Sequence, residues 1–158
     1  MVKFLHYLIT TLISILVGAM SGWVLGLVFS GAFMNTLNAF GADTLNVTMW
    51  QLGAAFGFLG CFINYSTGVY KSLGVPKNLS DIFFIIFWRF SVPLFGAVFI
   101  IIPSLIAGIF FEDTVFAGLA AFGVDTSELS LWQVSVTLIF IGAHMIATPH
   151  PSIFKKKT

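Results

Sequence analysis

The chain has little charge. Only 8% of its 158 residues are Asp, Glu, Lys or Arg, against about 25% in soluble globular domains. So few polar groups cannot cover a folded surface in water, and lipid is the solvent this composition fits. Cysteine is nearly absent too. The single residue, Cys61, excludes an internal disulfide and a thiolate metal cluster. Basic stripes are missing, and the net charge is +1. Nothing here would follow a phosphate backbone, so nucleic acid is not an expected partner. The sequence shows no nucleophile–base pair, no carboxylate inside an apolar segment and no glycine-rich phosphate loop. An enzyme is therefore not expected.

Apolar residues make up 58% of the chain, 19 of them phenylalanine, and the mean hydropathy is +1.02. They fall into four segments, about Phe4–Ser30, Met49–Ser66, Ile82–Phe111 and Leu131–Thr148. Each is near or above the ~20 residues that cross a bilayer as a helix. The first is too long for a signal-peptide core and lacks a small-x-small ending. Lys3, Lys71, Lys77 and Lys155–Lys157 all fall on one side of these segments. Asp43, Glu112, Asp113, Asp125 and Glu128 fall on the other, and Asp81 alone among the acids sits with the lysines. Lysine excess marks the cytoplasmic side. Four helices with both termini inside are expected, by default in a bacterial inner membrane.

The chain also repeats itself at a shift of 82 residues. Leu37 lands on Leu119, Ala39–Gly41 on Ala121–Gly123, Asp43-Thr44 on Asp125-Thr126 and Trp50-Gln51 on Trp132-Gln133. Phe58 lands on Phe140 and Gly60 on Gly142, giving ten identities over 24 positions. The fold expected is an all-α integral membrane protein made from a duplicated two-helix hairpin, a parallel repeat about the membrane normal. Its parts are a first hairpin (1–70), a cytoplasmic linker (71–81), a second hairpin (82–150) and a basic tail (151–158). In each outer loop Phe33, Leu37 and Phe40, or Val115, Leu119 and Phe122, share one helical face. A short interfacial amphipathic helix is expected there, ended by Gly41 or Gly123.

Thr48–Gln51 and Ser130–Gln133 have the spacing of a capping box, with Thr48 and Ser130 as N-caps and Gln51 and Gln133 at N3. First-turn amides near a membrane boundary are costly to leave unpaired. Trp50 and Trp132 then lie at headgroup depth, where indoles collect. Capping and anchoring account for every residue of the motif. The alternative is a shared ligand or partner site.

Candidate chemistry is sparse. His6 and His144 lie toward the inner ends of the first and fourth helices. Haem or chlorophyll could be held there if the two rings face each other. The plainer expectation is that His144 bonds a helix carbonyl. Ligand spacings such as His-x-x-x-His do not occur. Arg89 is the one charge well inside an apolar stretch, and such residues usually function. With Trp88 it suits an anchor that snorkels to inner-leaflet headgroups beside Asp81. Pairing with a partner subunit and a transport role are the alternatives. Pro93 and Pro103 favour kinks in the third helix. Gly18, Gly22 and Gly26 form a close-packing stripe, taken as a seam against a partner or within the chain. Asn46-Val47-Thr48 matches a glycosylation sequon, but it abuts the membrane and uses the capping threonine.

The function expected is a non-catalytic subunit or assembly factor of a larger membrane complex, possible roles in energy transduction included. It would contact lipids, other membrane subunits or further copies of itself. A small oligomeric channel or transporter is the second reading, and a haem- or chlorophyll-binding membrane protein the third.

Overall fold

The computed structural model describes residues 2–66 and 79–146, with side chains described from Leu8 onward apart from Tyr65 and Ile146. Most of these residues are helical and, among them, no strand occurs. Helix α1 runs Val2–Ala39, α2 Met49–Ser66, α3 Leu79–Phe99, α4 Ile101–Ala121 and α5 Leu131–Ile146. The bonds Ile100 N to Gly96 O (3.1 Å) and Ser104 N to Ile100 O (3.0 Å) carry the ladder from α3 into α4. Pro103 has no N–H to offer the Phe99 carbonyl, so the interruption at Ile100 is one missing rung. The Ser104 hydroxyl bonds the Ile100 and Ile101 carbonyls at 2.6 and 3.0 Å. The described chain is thus four rods, two of them long.

Both long rods, Leu8–Ala39 within α1 and Leu79–Ala121 spanning α3–α4, are long and apolar enough to cross a membrane. Apolar Met49–Asn64 and Leu131–Met145 are shorter. Helix α3 begins at Leu79, three residues before the expected boundary and inside the expected linker. Asp81 sits in its first turn, where a carboxylate complements the positive end of the helix dipole. Positions 67–78 and 147–158 lie outside the described residues, so the rest of the linker, His150 and the basic tail do too.

The expected separate amphipathic helices are not there. Phe33–Ala39 is the last part of α1, and Val115–Ala121 the last part of α4. Ser30-Gly31 and Glu112-Asp113 read as breaks, yet neither contains proline. A continuing helix keeps its own amides paired, so no backbone donor or acceptor is left over at that point. The ends are as the glycines suggest. Gly41 and Gly123 adopt φ of 85° and 84°, a region that costs other residues steric strain. Their bonds are those of a Schellman turn: Ala42 N to Leu37 O (3.0 Å) and Gly41 N to Asn38 O (2.8 Å), then Val124 N to Leu119 O (3.2 Å) and Gly123 N to Ala120 O (2.9 Å). Asp43 accepts the Leu45 amide, and Asp125 the Ser127 amide, both at 3.1 Å. Every one of these bonds recurs 82 positions later.

Backbone contact holds α1 to α2. A Cβ on Gly18 would fall on the Gly53 carbonyl, one on Gly22 on the Met49 carbonyl and one on Gly57 on the Ser14 carbonyl. Only glycine permits this approach. On the other side, Leu25, Phe33, Met49, Ala97, Val136 and Phe140 form the apolar core. There the Phe33 and Phe140 rings meet edge to face, with centroids 5.0 Å apart.

Candidate polar site inside the helix bundle

Four helices bring polar groups to one place inside the bundle. From α1 come Ser14 and Ser21, from α2 Asn64, from α3 Arg89 and from α5 His144, all buried. Arg89 Nη1 donates to the Ser14 hydroxyl oxygen, and that hydroxyl donates to Thr10 O at 2.7 Å. Ser14 therefore couples α3 to the α1 backbone. Asn64 Nδ2 donates to Gly60 O (2.6 Å) and across to Met145 O (3.1 Å), tying α2 to α5. A small cavity, about large enough for one water molecule, is walled by Ser14, Val17, Gly18, Gly57, Arg89 and His144.

The proton positions at His144 follow from its partners. Nδ1 lies 2.8 Å from the Phe140 carbonyl, which can only accept, so Nδ1 carries a proton. Nε2 lies 2.8 Å from Ser21 Oγ, and the same hydroxyl is 3.0 Å from Gly18 O. In the neutral ring Nε2 accepts, and the single Ser21 proton serves either His144 or Gly18. In the imidazolium, Nε2–H donates to Ser21 and Ser21 donates to Gly18. The chain of bonds suits either charge state, with the hydroxyl turning between them.

Several expected site residues stand elsewhere than the sequence suggested. Arg89 does not reach out to headgroups; it is buried against α1, because Ser14 and the gap beside Gly18 and Gly57 leave room for it. Trp88 is on the rim, stacked on Phe84 with centroids 6.0 Å apart. Gly18 and Gly22 are not a surface for lipid or a partner, since α2 of the same chain closes on them, and Gly26 faces the Met49 side chain. His144 bonds the Phe140 carbonyl, and both its ring nitrogens are engaged. The His6 side chain lies outside the described residues. Trp50 is exposed at the start of α2, and Trp132 packs at the edge of the core.

At the caps, Gln51 Oε1 accepts the Thr48 amide at 2.8 Å, and Gln133 Oε1 the Ser130 amide at 2.9 Å. The Thr48 hydroxyl bonds the Gln51 side chain at 2.8 Å instead of the N3 amide. Among the described residues no group of three His, Cys, Asp or Glu side chains gathers where a metal ion could sit. Sequence reasoning passed over Ser14, Ser21 and Asn64. A signal was present: Ser14, Gly18 and Ser21 recur at helical spacing on one face of α1. Comparison with protein-family models, with curated proteins and with solved structures finds no match.

Proposed function

We propose that this chain is an integral membrane protein built from two copies of one helical hairpin, with both termini cytoplasmic, in a bacterial inner membrane. Its role is that of a non-catalytic subunit or assembly factor of a larger membrane complex. The observation that carries this is the uncovered length of the α3–α4 rod. It spans 43 residues, and only 11% of its most apolar window is buried. Phe95, Phe99, Ile102, Ile109 and Phe110 stand bare along it. A water-soluble fold would have to hide such a rod; lipid and neighbouring membrane helices cover it without cost. The recurring loop bonds support the duplication, and the lysine–acid partition supports the orientation.

The test has two parts. Alkaline extraction of membranes should leave the protein in the pellet. Purification in mild detergent should bring partner chains with it in fixed ratio. Extraction into the supernatant would overturn the membrane reading, and a lone monodisperse monomer would overturn the subunit reading.

A second reading, a small channel or transporter, rests on the buried Arg89, Ser14 and His144 around their cavity, since ionisable groups within a bundle often mark a pathway. Flux through liposomes that disappears in Arg89→Gln would favour it. Haem or chlorophyll at His144 requires Ser21 to leave Nε2. A visible absorption band in the purified protein, lost in His144→Leu, would support that binding.

A further inference from the structure

One interface inside the chain is made once where the repeat would make it twice. Helix α1 of the first hairpin packs along α5 of the second. Phe33 (1% exposed) meets Phe140 (0%), and Ser21 (0%) meets His144 (8%). Moving 82 positions exchanges the roles of the hairpins. Phe33 becomes Val115 on α4, and Phe140 becomes Phe58 on α2. Ser21 becomes Pro103, and His144 becomes Phe62. The counterpart interface would join α4 to α2. Neither half of it is covered: Val115 is 37% exposed, Phe58 47%, Phe62 59%, and Pro103 is exposed. Among the described residues α2 and α4 form no extended contact.

Geometry explains the open half. If a half-turn related the two hairpins, closing one contact would close the other. One is closed and the other open, so the two hairpins are not related by an exact half-turn. The same step taken again leads out of the chain and onto another hairpin. We propose that the bare α4 face of one chain seats on the bare α2 face of a second copy, head to tail, and that the copies close into a ring around the membrane normal. Contacts between unlike faces make rings when the rotation closes, and a bilayer holds every copy in one plane. The faces fit in character. Val115, Pro103, Phe58 and Phe62 are all apolar, so the joint between chains lacks the polar pair that Ser21 and His144 supply within the chain. This inference rests on the duplication proposed above and names the partner as the chain itself.

The test is cross-linking in native membranes. A Phe58→Cys/Val115→Cys variant is treated with a short bis-maleimide, while native Cys61 is enclosed and does not react. Covalent multimers should exceed those of a Leu16→Cys/Val115→Cys control by about tenfold or more, since a held contact raises effective concentration steeply. Phe33→Cys/Phe140→Cys tests the contact within the chain. Monomer alone from the first variant, with an internal cross-link in the third, means lipid or another protein covers these faces and overturns the ring. Absence of the internal cross-link removes the template and overturns it as well. Native mass spectrometry of the unaltered protein gives an independent reading. Multiples of the 17.2 kDa chain are expected. A complex with one copy beside foreign subunits would overturn the ring while upholding the subunit reading. A ring with no foreign subunit would do the reverse.

Discussion

Consider Phe140→Ala beside Phe58→Ala. The two residues occupy equivalent positions in the repeat and the chemistry removed is identical. Phe140 is fully enclosed, edge-on to Phe33 (5.0 Å), Phe56 (6.2 Å) and the His144 ring (4.3 Å). In a water-soluble core such a truncation costs about 3–5 kcal/mol, of which about 1.5–3 kcal/mol is transfer from water. In the membrane placement proposed above the transfer part largely vanishes, because lipid is as apolar as the core. What remains is lost packing, including edge-to-face terms of roughly 0.5–1.5 kcal/mol each. Phe140→Ala should therefore cost about 2–3 kcal/mol, independent of protein concentration. Phe58 is half exposed, and truncating a surface residue usually shifts stability by within about 0.5 kcal/mol. In separated chains Phe58→Ala should be near neutral. Its effect should grow with concentration as copies associate. The assay is reversible unfolding in mixed micelles over a concentration series, followed by circular dichroism. Equal losses for the two variants in dilute protein would refute the assignment of buried and bare faces.

Other expectations follow from the loops and caps. Gly41→Ala and Gly123→Ala should each destabilise by about 1–2 kcal/mol, the cost of a left-handed conformation for a residue with a Cβ, read by thermal unfolding; no change would mean the Schellman turns do not persist. Gln51→Ala and Gln133→Ala should each cost about 1 kcal/mol as cap losses do, and loss of function at unchanged stability would reopen a ligand role for the motif. Hydrogen bonds from the Ser127 hydroxyl and amide hold the Asp125 carboxyl below the usual carboxylate range. A depressed acid adds stability above its unfolded value, and the contribution is lost as pH falls through the folded value. NMR titration should show Asp125 titrating more acidic than ordinary aspartate, and Ser127→Ala should move it back up.

The rods were readable because apolar length needs no partner to be seen. The loop grammar was readable because glycine, aspartate and glutamine act over four or five residues. What the sequence concealed depends on distance in space. Gly18 and Gly22 announce a close approach, but only the fold shows that Gly53 and Met49 of the same chain are what approach. Arg89, next to Trp88 and near Asp81, has the sequence setting of an anchor. Its direction was decided by Ser14 on another helix, 75 positions away. The outer ends of α1 and α4 differ from the expectation because Ser30-Gly31 and Glu112-Asp113 resemble boundaries, while a helix that continues keeps its own amides paired.

The rods differ in length, and a bilayer responds to that. At ~1.5 Å per residue, α1 measures about 57 Å and α2 about 27 Å. Met49 at the start of α2 is level with Gly26 of α1, so 13 residues of α1 lie beyond it; Leu131 is likewise level with Gly108 of α4. A hydrocarbon slab matched to α2 and α5 would leave Ile109, Phe110 and Phe111 in water. A slab matched to the long rods would pull Trp50 and the Gln51 cap into oil. Each ångström of compromise costs a fraction of a kcal/mol. In the membrane placement proposed above, lipid chain length would become an input to this protein, acting on its tilt and on where in a membrane of uneven thickness it settles.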